Sequence, residues 1–146
     1  MARFTYRMQN ILNITEKMES QAKIAYSTAA RALSDEQDRL SELLVKKADL
    51  NANLKKSASG NIDIMSIKRI NDSISIMDIL IKDQMAAVMK AENLLEDRRA
   101  ALKKEMVKRK THEKLKEKAF EEFKKEEIHK EDKAVDELTA FTHRSR

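Results

Sequence analysis

Only one residue in this chain can reverse the backbone cheaply. Gly60 is the sole glycine among 146 residues, and there is no proline. Sharp turns depend largely on those two residue types. The chain therefore has the means for one tight reversal and must otherwise run in long regular elements. The segment Ser57-Ala58-Ser59-Gly60-Asn61 interrupts the apolar pattern, which places the turn at about residues 58–62. Gly60 is expected to supply the left-handed conformation of a helix C-terminal cap. Asn61 or Asp63 can then accept hydrogen bonds from the first free amides of a second helix.

On both sides of the turn the apolar residues step by three and four, the spacing of a coiled-coil seam. Phe4, Met8, Ile11, Thr15, Met18, Ala22, Ala25, Ala29 and Ala32 form one track. It slips by one residue into Leu33, Glu36, Leu40, Leu43, Lys47, Leu50 and Leu54. Such a slip reads as a stutter, which unwinds a supercoil locally without ending the helix. After the turn come Ile67, Ile70, Ile74, Met77, Ile81, Gln84, Val88, Ala91 and Leu95. Past Leu102 the pattern weakens, then returns through Phe120, Phe123, Glu127, Glu131, Ala134, Leu138 and Phe141. Helices are expected at about 3–57 and 63–142.

Two amphipathic helices joined by a short turn bury their stripes against each other in antiparallel fashion. The expected fold is all-α: a long antiparallel two-helix coiled-coil hairpin, one domain spanning 1–146. The helices would run roughly 80 Å and 120 Å at the usual rise per residue. Folding back about Gly60 brings the N-terminus near residue 120, so the C-terminal helix end overhangs. Phe120, Phe123, Leu138 and Phe141 fall in that overhang. Their stripe is open to three readings: contact with another molecule, a dimer contact, or a frayed end.

The net charge is +5, with 30 cations set among 25 anions. Arg98, Arg99, Lys103, Lys104, Lys108, Arg109 and Lys110 wrap around the helix without interleaved aromatics for base stacking. This describes a solvated helical surface better than a nucleic-acid footprint, and no nucleic acid is expected. The longest apolar-looking stretch, Ile74 to Ile81, is broken by Ser75 and Asp78, so no direct membrane insertion is expected. Met1-Ala2-Arg3-Phe4 lacks the apolar core of a signal peptide. A cytoplasmic setting is the expectation.

No catalytic, cofactor-binding or metal site is expected. There is no cysteine, hence no thiolate nucleophile or ligand. His112, His129 and His143 are not spaced to share a metal on one helix face, and His112-Glu113 does not continue into a zinc-protease motif. A single glycine cannot build a phosphate-cradling loop. Carboxylates are plentiful, but a two-helix hairpin offers no cleft to push two of their pKa values apart.

The ends carry a resemblance. Phe4-Thr5-Tyr6-Arg7-Met8-Gln9-Asn10-Ile11-Leu12-Asn13-Ile14, followed by Glu16-Lys17 and Glu19, is similar to the start of the FliJ family. That family is the coiled-coil component of the flagellar type III export apparatus. Lys118-Ala119-Phe120 through Glu127, Glu131-Asp132-Lys133 and Asp136-Glu137 resemble its ending. The resemblance implies a non-enzymatic protein that enters the ring of the hexameric flagellar export ATPase like the stalk of a rotary ATPase. It also implies contact with the cytoplasmic domain of the export gate membrane protein, and escort of export chaperones. The setting implied is cytoplasmic, peripheral to the export apparatus at the inner face of the cell membrane. ATPase-contact candidates carried over from the end motifs are Arg3, Phe4, Arg7, Gln9, Phe120, Phe123, Asp136 and Glu137. Gate-contact candidates, mapped by position, are Leu43, Leu50, Ser73, Met77, Leu80 and Gln84. The aromatics that family members carry on this tip surface are missing here. The alternative readings are a coiled-coil scaffold or holdase chaperone of another secretion or assembly system, and a self-associating rod.

Overall fold

The computed structural model describes residues 2–144, and contains two helices packed against each other as a helical hairpin. Helix α1 spans Gln9–Ser59 and α2 spans Ile64–Arg144. The chain divides into two compact units, Met1–Gln21 with Lys103–Arg146, and Ala22–Leu102. Both helices pass through both units.

The reversal differs in detail from its expectation. Gly60 has no positive φ, so the left-handed cap is not used. Helix α1 runs to Ser59, whose hydroxyl donates to the Lys56 carbonyl at 3.1 Å. Asp63 caps α2: its carboxylate accepts the Met65 amide at 3.1 Å and the Ser66 hydroxyl at 2.8 Å, while its carbonyl accepts the Ile67 amide at 3.1 Å. Those bonds satisfy amides that a helix start otherwise leaves bare. The Ser66 hydroxyl, followed by the Met65 amide, holds the Asp63 carboxyl below its ordinary pKa.

Helix α1 begins at Gln9, not near residue 3. The Tyr6 carbonyl accepts the Gln9 amide at 3.1 Å, and the Met8 carbonyl accepts those of Ile11 and Leu12 at 3.0 and 3.1 Å. Upstream, Phe4, Thr5 and Tyr6 are aromatic or β-branched types that lose side-chain freedom in a helix. Non-helical backbone there sets the Phe4 ring against two rings of α2.

The seam follows its expected track from Leu33 to Leu54 and departs from it upstream, at Ile11, Met18 and Ala32. Along α1 the residues of reduced exposure trace Leu12, Thr15, Glu19, Ala22, Tyr26, Ala29, Leu33, Glu36, Leu40, Leu43, Lys47, Leu50, Leu54 and Ser57, with Gln9, Ala25 and Ala30 half-buried beside that track. These steps alternate three and four throughout, so there is no stutter. Ile11 and Met18, expected inside, are 41% and 45% exposed, while Leu12 and Glu19 are 3% and 4% exposed. On α2 the track Ile67 to Leu95 is as expected. After an exposed turn at Arg98 and Arg99 it resumes through Leu102, Glu105, Arg109, His112, Lys116, Ala119 and Phe123. The pattern fades in the sequence because its inner positions there are filled by polar residues.

Candidate interaction surfaces

In the unit formed by Ala22–Leu102, three polar seam residues of α1, Tyr26, Glu36 and Lys47, meet partners on α2. Lys47 Nζ lies 2.5 Å from the Asp78 carboxylate. Gln84 Nε2 donates to the Glu36 carbonyl at 2.9 Å and to its carboxylate. The Arg99 guanidinium sits 5.9 Å from the Tyr26 ring centroid, within cation–π range. As α1 numbers rise, α2 numbers fall, so the pairing is antiparallel. Five of the six gate-contact candidates are half-buried: Leu43, Leu50, Met77 and Gln84 on the seam tracks, and Ser73 beside Ile74. Only Leu80 is exposed, at 44%. It shares the outward side of α2 with exposed Ile76 and Ile79, which the sequence reading passed over because they lie off the seam.

In the unit formed by Met1–Gln21 and Lys103–Arg146, the end motifs meet. The Phe4 ring lies 5.1 Å from that of Phe120, edge-on at 61°, and 5.4 Å from that of Phe123, tilted at 50°. This is the offset geometry aromatic quadrupoles prefer. Lys124 Nζ stands 4.6 Å from the Phe120 centroid. Phe120 and Phe123 therefore do not belong to the overhang: Phe4 packs against both rings, because the segment before α1 extends the N-terminal stretch of chain past the first helical turn. Arg3 and Arg7 are exposed beside this cluster. Gln9 is half-buried, with its side-chain amide donating to Asn13 Oδ1 at 2.9 Å. Asp136 and Glu137 are exposed and lie roughly 24 Å further along α2 at the helical rise. Of the ATPase-contact candidates, Phe4, Phe120 and Phe123 thus form one cluster, and Asp136 and Glu137 lie apart from it. Every described residue from Ile128 onward is exposed, including Leu138 and Phe141.

The same unit holds a polar seam layer absent from the sequence reading. Arg109 pairs through Nε with Glu19 and donates through Nη1 to both Glu113 oxygens at 2.9 Å. The Glu113 and Glu19 carboxylates raise the Arg109 pKa above arginine's ordinary value. Thr15, also on the seam, satisfies its hydroxyl within α1 by donating to the Leu12 carbonyl at 2.7 Å. A groove of about 420 Å³ opens alongside, lined in part by Phe4, Leu12, Glu16 and Phe120. Among the described residues, no group of three metal-ligating side chains converges and no helix is long and apolar enough to cross a membrane.

The family model of the flagellar FliJ protein matches residues 4–146. The chain belongs to the FliJ family. The match takes in both end segments whose rings meet around Phe4. Among curated relatives, the flagellar FliJ protein of Bacillus subtilis (strain 168) is 22% identical over 136 residues, covering 93% of this chain and 92% of the relative. A solved structure from Chlamydia trachomatis, described as a YscO homologue, has the same fold. Its TM-score is 0.70 at 20% identity, over 97% of this chain and 96% of that one. Membership in the FliJ family points to a flagellar or type III export protein.

Proposed function

We propose that this FliJ-family chain is a non-enzymatic component of flagellar protein export that binds the export ATPase ring as a stalk-like hairpin. The observation that carries the reading is the meeting of Phe4 with Phe120 and Phe123, flanked by exposed Arg3 and Arg7. Two segments far apart in sequence, each matching a family end motif, build one surface. An asymmetric hairpin within a ring contacts each subunit differently. Contacts that differ between nucleotide states must bias the ring's equilibrium.

The second contact proposed is with the cytoplasmic part of the export gate. In the unit nearer the turn, the surface free for it is the Ile76, Ile79 and Leu80 side of α2, with Leu80 the one gate candidate on it. Export chaperones are the third partner class. The peripheral setting at the export apparatus belongs to the same reading. The exposed apolar side chains Ile64, Met65, Ile76 and Ile79 also suit a scaffold or holdase, the second reading.

The test is the hydrolysis rate of the export ATPase from the same organism, titrated with this chain. Saturable stimulation is expected, weakened about tenfold or more by Arg3→Glu with Arg7→Glu, both outside the helices. No binding and no rate change by a fully helical wild-type chain would favour the holdase reading. Stimulation indifferent to both charge reversals would remove the Phe4 end from the contact.

A further inference from the structure

We infer that residues 117–138 of α2 form a self-complementary face on which a second copy of this chain docks antiparallel. The face is the stripe Glu117, Phe120, Lys124, Ile128, Glu131, Val135 and Leu138, whose steps of three and four keep it on one side of the helix. Its exposed apolar members are Phe120, Ile128, Val135 and Leu138. The stripe is symmetric about the Glu127–Ile128 peptide. Residues equidistant from that point face each other in an antiparallel pair. Phe120 then meets the second copy's Val135, Lys124 meets its Glu131, and Ile128 falls opposite its Glu127, with the two Ile128 positions about 1.5 Å apart along the axis next to the two-fold. At the margin, Lys118 falls opposite Glu137. Each contact occurs twice, as a closed two-fold interface requires.

A second observation supports the same occupant. Leu138 of the second copy falls opposite Glu117, and its Val135 opposite Phe120. Both side chains thereby come over the groove of about 420 Å³ lined by Phe4, Leu12, Glu16, Glu117 and Phe120. Lys124 is free to turn toward the second copy. Its present contacts are the Phe120 ring at 4.6 Å and Glu121 at 3.8 Å, and it is 53% exposed. The contact would extend for about 32 Å of helix and bury on the order of 1,000 Å² in total, at the low end for specific association. The dimer is therefore reversible and concentration-dependent. On the function proposed above, it covers Phe120 and Glu137, so the dimer and the ring-bound form exclude each other.

Sedimentation equilibrium of the full chain, from low to high micromolar, tests the inference without any ATPase. A monomer–dimer equilibrium is expected. Lys124→Glu and Glu131→Lys should each weaken it about tenfold, and the double reversal should recover it. Because the chain has no cysteine, Ile128→Cys should form a disulfide-linked dimer on mild oxidation. Val107→Cys, exposed but off the stripe, should not. A chain that stays monomeric at every concentration overturns the inference. So does a dimer indifferent to the charge reversals. A monomer whose charge-reversed forms lose ATPase binding would assign the stripe to that partner instead.

Discussion

Glu19 decides how the helices of its unit are aligned. It is 4% exposed and pairs with Arg109 across 90 residues of sequence. Counting apolar side chains selects Ile11 and Met18 for the inner face. The hairpin keeps Thr15 inside as expected but places Leu12 and Glu19 there in place of Ile11 and Met18. No local signal in α1 reveals this, because an acidic residue becomes tolerable inside only when a cation faces it. The matching signal is Arg109 on the α2 track, flanked by Glu105 and His112 at the same spacing. Removing Glu19 takes from Arg109 its partner on the other helix and leaves it only Glu113 of its own, whereas replacing both seam residues by apolar groups can be neutral or stabilising. Glu19→Ala is therefore expected to lower Tm by several degrees, about 3–6 °C. Glu19→Leu combined with Arg109→Leu should return Tm to the wild-type value or above. Thermal unfolding followed by circular dichroism reads both. A double variant less stable than the single would mean that the pair adds more than it costs to bury.

At the scale of the elements, the turn was legible in position but not in conformation. One glycine in a break of the apolar pattern located the reversal, and Asp63 was one of two capping candidates. The φ of Gly60 depends on how the α1 end meets the Asp63 cap, which a glycine codon cannot announce. Because Gly60 has no positive φ and an added Cβ would meet only the Lys56 carbonyl oxygen at 4.0 Å, Gly60→Ala is expected to be tolerated. It should stabilise the chain by about 0.4–1 kcal/mol through the unfolded state. A loss of stability in urea unfolding would refute that. Asp63→Ala should lower Tm by about 2–4 °C by leaving the Met65 amide and Ser66 hydroxyl without their acceptor. The pH dependence follows from the lowered folded-state pKa of Asp63. The carboxylate's contribution is present above its unfolded pKa of about 3.9. It is lost as pH falls through the lower folded value. The difference in Tm between wild type and Asp63→Ala should therefore hold near neutrality and close below about pH 4.

Across the whole molecule, the hairpin fold and the family were legible because both rest on long-range regularity: a single turn and matching end segments. The site was only partly so. The fold-back register brought the N-terminus near residue 120 but left Phe120 and Phe123 in the overhang, because it took the segment around Phe4 as helical; of the six gate candidates, mapped by chain position alone, four lie on the seam tracks and Ser73 is half-buried beside them. The two units also differ in what fills their seams. In Ala22–Leu102, α2 contributes Ile67, Ile70, Ile74, Ile81 and Val88; in the other unit it contributes Glu105, Arg109, His112 and Lys116. Apolar burial is worth about 25 cal/mol per Å², so opening should be costliest around Ile67–Val88 and easier around Glu105–Lys116. From Ile128 on, no second helix of the same chain covers α2, and a helix of that length is marginal alone in water. Amide hydrogen exchange should thus run slowest in 67–88, faster in 105–116 and fastest in 128–144. The dimer adds a condition that simple fraying does not meet. Raising the protein concentration should slow exchange in 128–138 and leave 67–88 unchanged, because only residues at the interface gain protection from a second copy. Exchange in 128–138 that is the same in dilute and concentrated samples would show that this helix end has no partner in its own kind.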